Sequence, residues 1–183
     1  MRTTTGLESA VHDDPDTEPV GHVLMLDYDS TDKRTVYDDI QAVPGPVVIH
    51  RTQPDSWHLY GLQIRPLSDQ LDLAVDTEAD AAFVQEMDRR GMMTLRIGAK
   101  PDRARPFPVV ADLPDPEDGS VPVSRPHIDQ LRQFADDRGN PTVWAKLGRL
   151  QAGLSDYEPT GEYCGRTEYR VGPAFDYGGG RSW

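Results

Sequence analysis

Apolar positions along the 183-residue chain fall into short blocks separated by breaks rich in Pro, Gly and Asp. Residues 23–26 (VLML) form a continuous apolar run of strand length, residues 47–52 (VVIHRT) are β-branched and apolar, and residues 57–64 (WHLYGLQI) predict a third strand. The turn QPDS between the last two is short, so they should pair antiparallel. Between the first two, Val36, Ile40 and Val43 are spaced for one face of a helix, with Ser30 or Thr31 as its N-cap and Pro44-Gly45-Pro46 as its stop. Residues 67–91 predict one or two short helices, capped at Ser68 and stopped at Gly91, and residues 92–98 (MMTLRIG) predict a fourth strand. The order strand, helix, strand, strand, helix, strand is a split βαβ pattern. It predicts an α+β fold: an antiparallel sheet with its helices on one face and the other face open.

The flanks carry weaker patterns. Residues 1–20 read as a disordered acidic leader without the apolar stretch of a signal peptide. The α+β core is expected over 21–110 and a Pro/Asp-rich connector over 111–123. A C-terminal helical appendage over 124–183 then consists of two helices joined at Gly139-Asn140 and a tail that adds a short strand.

Charge changes the picture in one respect. Only three of the 19 basic residues are lysine, 23 of the 31 acids are aspartate, and the formal net charge is −12. This composition resembles that of salt-in halophiles, whose acidic surfaces are screened within about 3 Å in molar salt. Net charge then says little about partners, and the places where basic residues cluster say more. Cys164 is the single cysteine, so no disulfide and no Cys-based zinc site forms within one chain. No run approaches the roughly 18 to 20 apolar residues of a membrane span, and a soluble, cytoplasmic protein is expected.

Three stretches carry candidate chemistry. The first strand runs into Asp27-Tyr28-Asp29, and alternation puts both carboxylates on one face, where they can hold Mg²⁺ or Mn²⁺ together with substrate phosphates. The bland alternative is that Asp27 ends the strand and Asp29 belongs to the cap of the next helix. Ser56-Trp57-His58 opens the third strand and can aim an imidazole toward the open face. Otherwise the histidine is simply packed. Residues 94–106 (TLRIGAKPDRARP) hold Arg96, Lys100, Arg103 and Arg105, the densest positive run in an acidic chain.

Hydrophobic-Asp-x-Asp at a strand end, then Ser-x-His on a later strand, is the motif order of the archaeo-eukaryotic primase-polymerase superfamily, which residues 23–110 resemble. The chain is also similar to small proteins of haloarchaea and of their viruses and plasmids that carry Asp-Tyr-Asp and a downstream LRI-x-x-K. The resemblance implies an RRM-like sheet and two-metal nucleotidyl transfer on a nucleic-acid template. Asp27 and Asp29 would be the catalytic metal ligands. Ser56, His58, Arg96 and Lys100 would bind nucleotide or backbone phosphate. The family's third acid is not where expected, since the fourth strand carries Arg96. Asp80 is the candidate substitute, with Asp72 and Asp76 behind it.

The rival reading is a non-catalytic module or a viral structural or scaffold protein on the same fold. Its open face would bind single-stranded nucleic acid through Trp57, Tyr60, Arg103 and Arg105. The C-terminal helices could then form a helix-turn-helix with Arg138, Lys146 and Arg149 near phosphate, although Trp144, Leu147 and Leu150 read as core packing. Phosphate-loop, serine-hydrolase, HExxH and CxxC motifs are all missing from the sequence.

Overall fold

The stretch expected to be a leader is a strand. In the computed structural model, which describes residues 2–99, 105–112, 122–154 and 159–171, strand β1 (Arg2–His12) joins the main sheet and buries Leu7 and Val11 completely. Thr4 and Thr5 look polar in sequence but are β-branched, which suits a strand, and Thr4 is buried. The acidic run that follows is a hairpin loop. There the Asp14 carbonyl accepts from the Thr17 amide and hydroxyl, and Val20 N–H closes onto Val11 C=O.

Strand β2 (Gly21–Tyr28) leaves this hairpin, and helix α1 (Lys33–Ile40) leads to β3 (Val47–Gln53) and β4 (Ser56–Arg65). Helices α2 (Leu67–Val75) and α3 (Ala81–Arg90) precede the short β5 (Thr94–Arg96) and β6 (Phe107–Asp112). The order across the sheet is β5-β1-β2-β4-β3-β6, all neighbours antiparallel, so β4 lies between β2 and β3. Two features differ from the sequence expectation. The fourth predicted strand, β5, pairs with β1 over Gly6–Glu8, because β1 provides the adjoining edge. Part of the Pro/Asp-rich region, β6, extends the sheet beside β3, and residues 113–121 lie outside the described set.

The chain then forms β7 (Val123–Ser124), α4 (Arg125–Asp137), α5 (Pro141–Ala152), β8 (Pro159–Thr160) and β9 (Tyr163–Val171). β9 pairs with β1 along most of its length, so the C-terminal segment completes the same sheet that the N-terminus begins. Ser124 and Asn140 cap α4 and α5, each followed by a proline in the first turn. Helix α1 is capped by Asp32 and not by the expected Ser30 or Thr31, and Ser30 occupies the left-handed region at φ 55°. The Asp32 carboxyl accepts from the amides of Thr35 and Arg34, which hold its pKa below the usual range.

No open face exists over the middle strand. Every residue of β4 from Ser56 to Ile64 is buried, which requires cover on both sides. One side holds Trp57, Leu59 and Gly61, with Gly61 close against Val43 and Leu24. Tyr28 ties α1 to this side by donating to Asp39 at 3.0 Å. On the other side Tyr60 packs against His50, and His50 stacks on Phe134 of α4 at 5.0 Å between ring centroids. The helix pair read as an appendage therefore supplies α4 as the cover for the face expected to be open.

Candidate functional site at the end of strand β2

Register decides which side chains meet. Asp27 on β2 stands opposite His58 on β4, and His58 stands opposite His50 on β3, so the three form one row across adjacent strands. The Asp27 Oδ1 atom lies 3.6 Å from His58 Nε2, too long for a hydrogen bond but close enough for a strong charge interaction when the imidazole is protonated. The Asp27 side chain is 28 % exposed and that of His58 only 7 %, so the carboxylate is the solvent-facing member.

The surroundings of Asp27 are built by short-range contacts. The Asp80 amide donates to the Asp27 carbonyl at 2.8 Å, bringing the start of α3 to the strand end. The Asp80 carboxylate accepts from Ala82 N–H at 2.9 Å as the cap of α3. Asp29 lies past the last residue of β2 and is exposed, and the chain turns immediately at Ser30. Thr31 N–H then donates to the Asp55 carbonyl in the β3–β4 turn, and Trp57 Nε1 donates to the Thr31 carbonyl at 3.0 Å. Trp57 thus anchors the loop that carries Asp29.

Several expected site residues lie elsewhere. Trp57 and Tyr60 are buried, 6 % and 0 % exposed, and occupy opposite faces of β4, so they form no common stacking surface. Three residues apart on a strand, they must point opposite ways. Arg96 is buried on β5 opposite Gly6 of β1 and donates to the Gly98 carbonyl at 2.6 Å. Ser56 is buried where the β3–β4 hairpin closes, opposite Gln53. Arg105 is exposed ahead of β6, while Lys100 and Arg103 lie outside the described residues. Asp72 and Asp76 are exposed on and just after α2. Among the described residues no group of three His, Cys, Asp or Glu side chains is arranged to hold a metal ion.

His50 is the member of the row that sequence reading misses. Its ring is fully buried between Tyr60 and Phe134, neither ring nitrogen has a hydrogen-bond partner, and burial pushes its pKa down to about 3. The register that sets it beside His58 depends on an irregularity between Arg51 and Gln53, which offsets the pairing by one residue from that of the tight turn.

A second histidine cluster was equally hidden. His127 Nε2 donates to the Glu8 carbonyl at 2.7 Å, so its Nδ1 accepts from Ser124 Oγ at 2.5 Å. Nearby, Ser9 Oγ meets His22 Nδ1 at 3.1 Å and accepts from Met93 N–H. Burial lowers the pKa of both histidines, that of His127 to about 4. Ser124 is itself fully buried, so this serine–histidine pair clamps α4 to β1 and offers no accessible nucleophile.

Compared with family models, curated proteins and solved structures, the chain matches none.

Proposed function

We propose that the chain is a primase-polymerase-like nucleotidyltransferase whose site lies at the end of β2. The observation that carries this reading is the juxtaposition of Asp27 with His58: the two motif residues, 31 positions apart, are cross-strand neighbours 3.6 Å from each other. The crossover from β2 through α1 to β3, with β4 between, is consistent with an RRM-like core.

Mg²⁺ and Mn²⁺ sites of this kind take one or two carboxylates and complete their shell with water and substrate phosphate, so Asp27 and Asp29 are the residues that would hold the ion. When bound, such an ion neutralises charge on the transferring phosphoryl group. The residues of the chain do the positioning. Asp27 is held at the strand end by the Asp80 amide, and Trp57 fixes the loop bearing Asp29. His58, across from Asp27, is the candidate contact for a nucleotide phosphate. Asp80 is the weaker candidate ligand, since its carboxylate already accepts the Ala82 amide.

Incorporation of labelled NTPs and dNTPs on a single-stranded template, in molar KCl with Mg²⁺ or Mn²⁺, tests the proposal. Product from the native chain and none from Asp27→Ala/Asp29→Ala is expected. A folded native chain that makes no product would overturn it.

A second reading is favoured by a separate observation. The sheet face bearing His58 is covered by α4 through Phe134, and Asp80 serves as a helix cap. A non-catalytic nucleic-acid-binding or scaffold protein on the same frame would keep both features. Such a protein would bind no metal through Asp27 and Asp29.

A further inference from the structure

The least acidic stretch of the chain lies on α5. Residues 138–155 contain no Asp or Glu, the longest such run in a chain where acids make up 31 of 183 positions, and their charges are Arg138, Lys146 and Arg149. Val143, Leu147 and Leu150 of α5 are buried, but Trp144 is 40 % exposed and Arg149 is exposed, so the tryptophan does not pack into the core.

Arg132 of α4 is fixed against this surface. Its guanidinium carbon lies 4.3 Å from the centre of the Trp144 ring. Gly148 makes the room: a Cβ there would stand 2.7 Å from Arg132 Nη2. Arg132 Nη1 donates to the Gln151 side-chain carbonyl, and Gln151 in turn donates to Asp129. Among the described residues, no carboxylate lies within ion-pair distance of Arg132. Its Nε is buried without a hydrogen-bond partner. An arginine loses considerable rotamer freedom when ordered. Here that order comes from an aromatic stack and a neutral amide in place of a carboxylate, so the guanidinium of the partly exposed Arg132 keeps an unpaired charge.

We infer that the α4–α5 surface binds single-stranded nucleic acid, with Arg132 and Arg149 on backbone phosphates and a base stacked on the outward face of Trp144. Phosphate chemistry answers the arginines, and an unpaired base answers the indole. Duplex DNA keeps its bases stacked and satisfies only the first requirement. An acidic protein surface likewise supplies charge without a π-face. The surface uses none of the residues of the Asp27–His58 site, so the two stand or fall separately.

The test is fluorescence anisotropy of fluorescein-labelled dT20 with the full chain, at a KCl concentration where circular dichroism reports the folded state. The native chain is expected to bind saturably, with quenching of tryptophan emission. Trp144→Ala should weaken binding by roughly tenfold or more, the scale of one lost base stack. Trp144→Phe should recover most of that loss, and Arg132→Gln and the surface variant Arg149→Gln should each weaken binding. Absence of binding by the folded native chain would overturn the inference, as would Trp144→Ala and Arg132→Gln binding as tightly as the native chain. Equal binding of duplex or of polyglutamate, or Trp144-dependent self-association in sedimentation, would overturn it in favour of simple charge or a protein partner.

Discussion

His50 and His127 are both fully buried and both held neutral, yet they are built in opposite ways. His127 spends both ring nitrogens, one on the Glu8 carbonyl and one on Ser124, and so links the cap of α4 to β1. His50 spends neither and is held only by the faces of Tyr60 and Phe134. A satisfied buried imidazole adds to stability, whereas an orphaned one costs the desolvation of each unpaired group, about 1–3 kcal/mol. The comparison separates a structural clamp from a residue whose polarity does nothing for the fold. His50 stands directly beside His58, so its polar ring adjoins the candidate site.

Breaking the clamp should have the largest effect. His127→Ala removes the acceptor of the Ser124 hydroxyl proton and the side-chain donor to the Glu8 carbonyl, and leaves a cavity under α4. A loss of about 3 kcal/mol is expected in denaturant unfolding at neutral pH.

Acid should act on both histidines. Each is lowered in the folded state below the ordinary value of 6.5, so the unfolded chain binds more protons below that pH. Their contribution is intact above pH 6.5 and lost as the pH falls toward about 4 for His127 and about 3 for His50. His22, also lowered, adds in the same direction. Each fully titrating histidine contributes a slope of about 1.4 kcal/mol per pH unit. Unfolding midpoints at pH 7, 6 and 5 should therefore descend with increasing steepness.

His50→Phe sharpens the contrast with the smallest change. An aromatic ring is kept and two orphaned nitrogens are removed, so stability at pH 7 should stay level or rise by up to about 1 kcal/mol. The descent below pH 6.5 should also become shallower. A loss of more than about 1 kcal/mol would mean that the His50 nitrogens are satisfied and the contrast is false.

How much of this was visible in the sequence depended on whether a feature was local. The β3–β4 hairpin, the break of α3 at Gly91 and the two C-terminal helices follow from turn residues, glycine at φ 70° and apolar spacing. β1 did not, because TTTGLESA lacks an apolar run and becomes a strand by pairing with β9, the strand expected in the tail, which is longer than the sequence suggested. Motif order put Asp27 and His58 on separate strands, and the register that makes them cross-strand neighbours comes from the fold. The exposure of Asp29 was not legible, since β2 ends at Tyr28 and Asp29 falls just before the turn at Ser30. The opposite faces of Trp57 and Tyr60 were legible from parity alone. The place of His50 was hidden by the register shift after Arg51.

The central proposal is a divalent cation held by Asp27 and Asp29 beside His58. Its most direct test is a Mn²⁺ titration followed by electron paramagnetic resonance, in molar KCl with and without an NTP. The native chain should take up Mn²⁺, more tightly when nucleotide is present, and Asp27→Asn/Asp29→Asn should lose that uptake while remaining folded. Equal Mn²⁺ uptake by the native chain and the double variant would contradict the site, as would none by either.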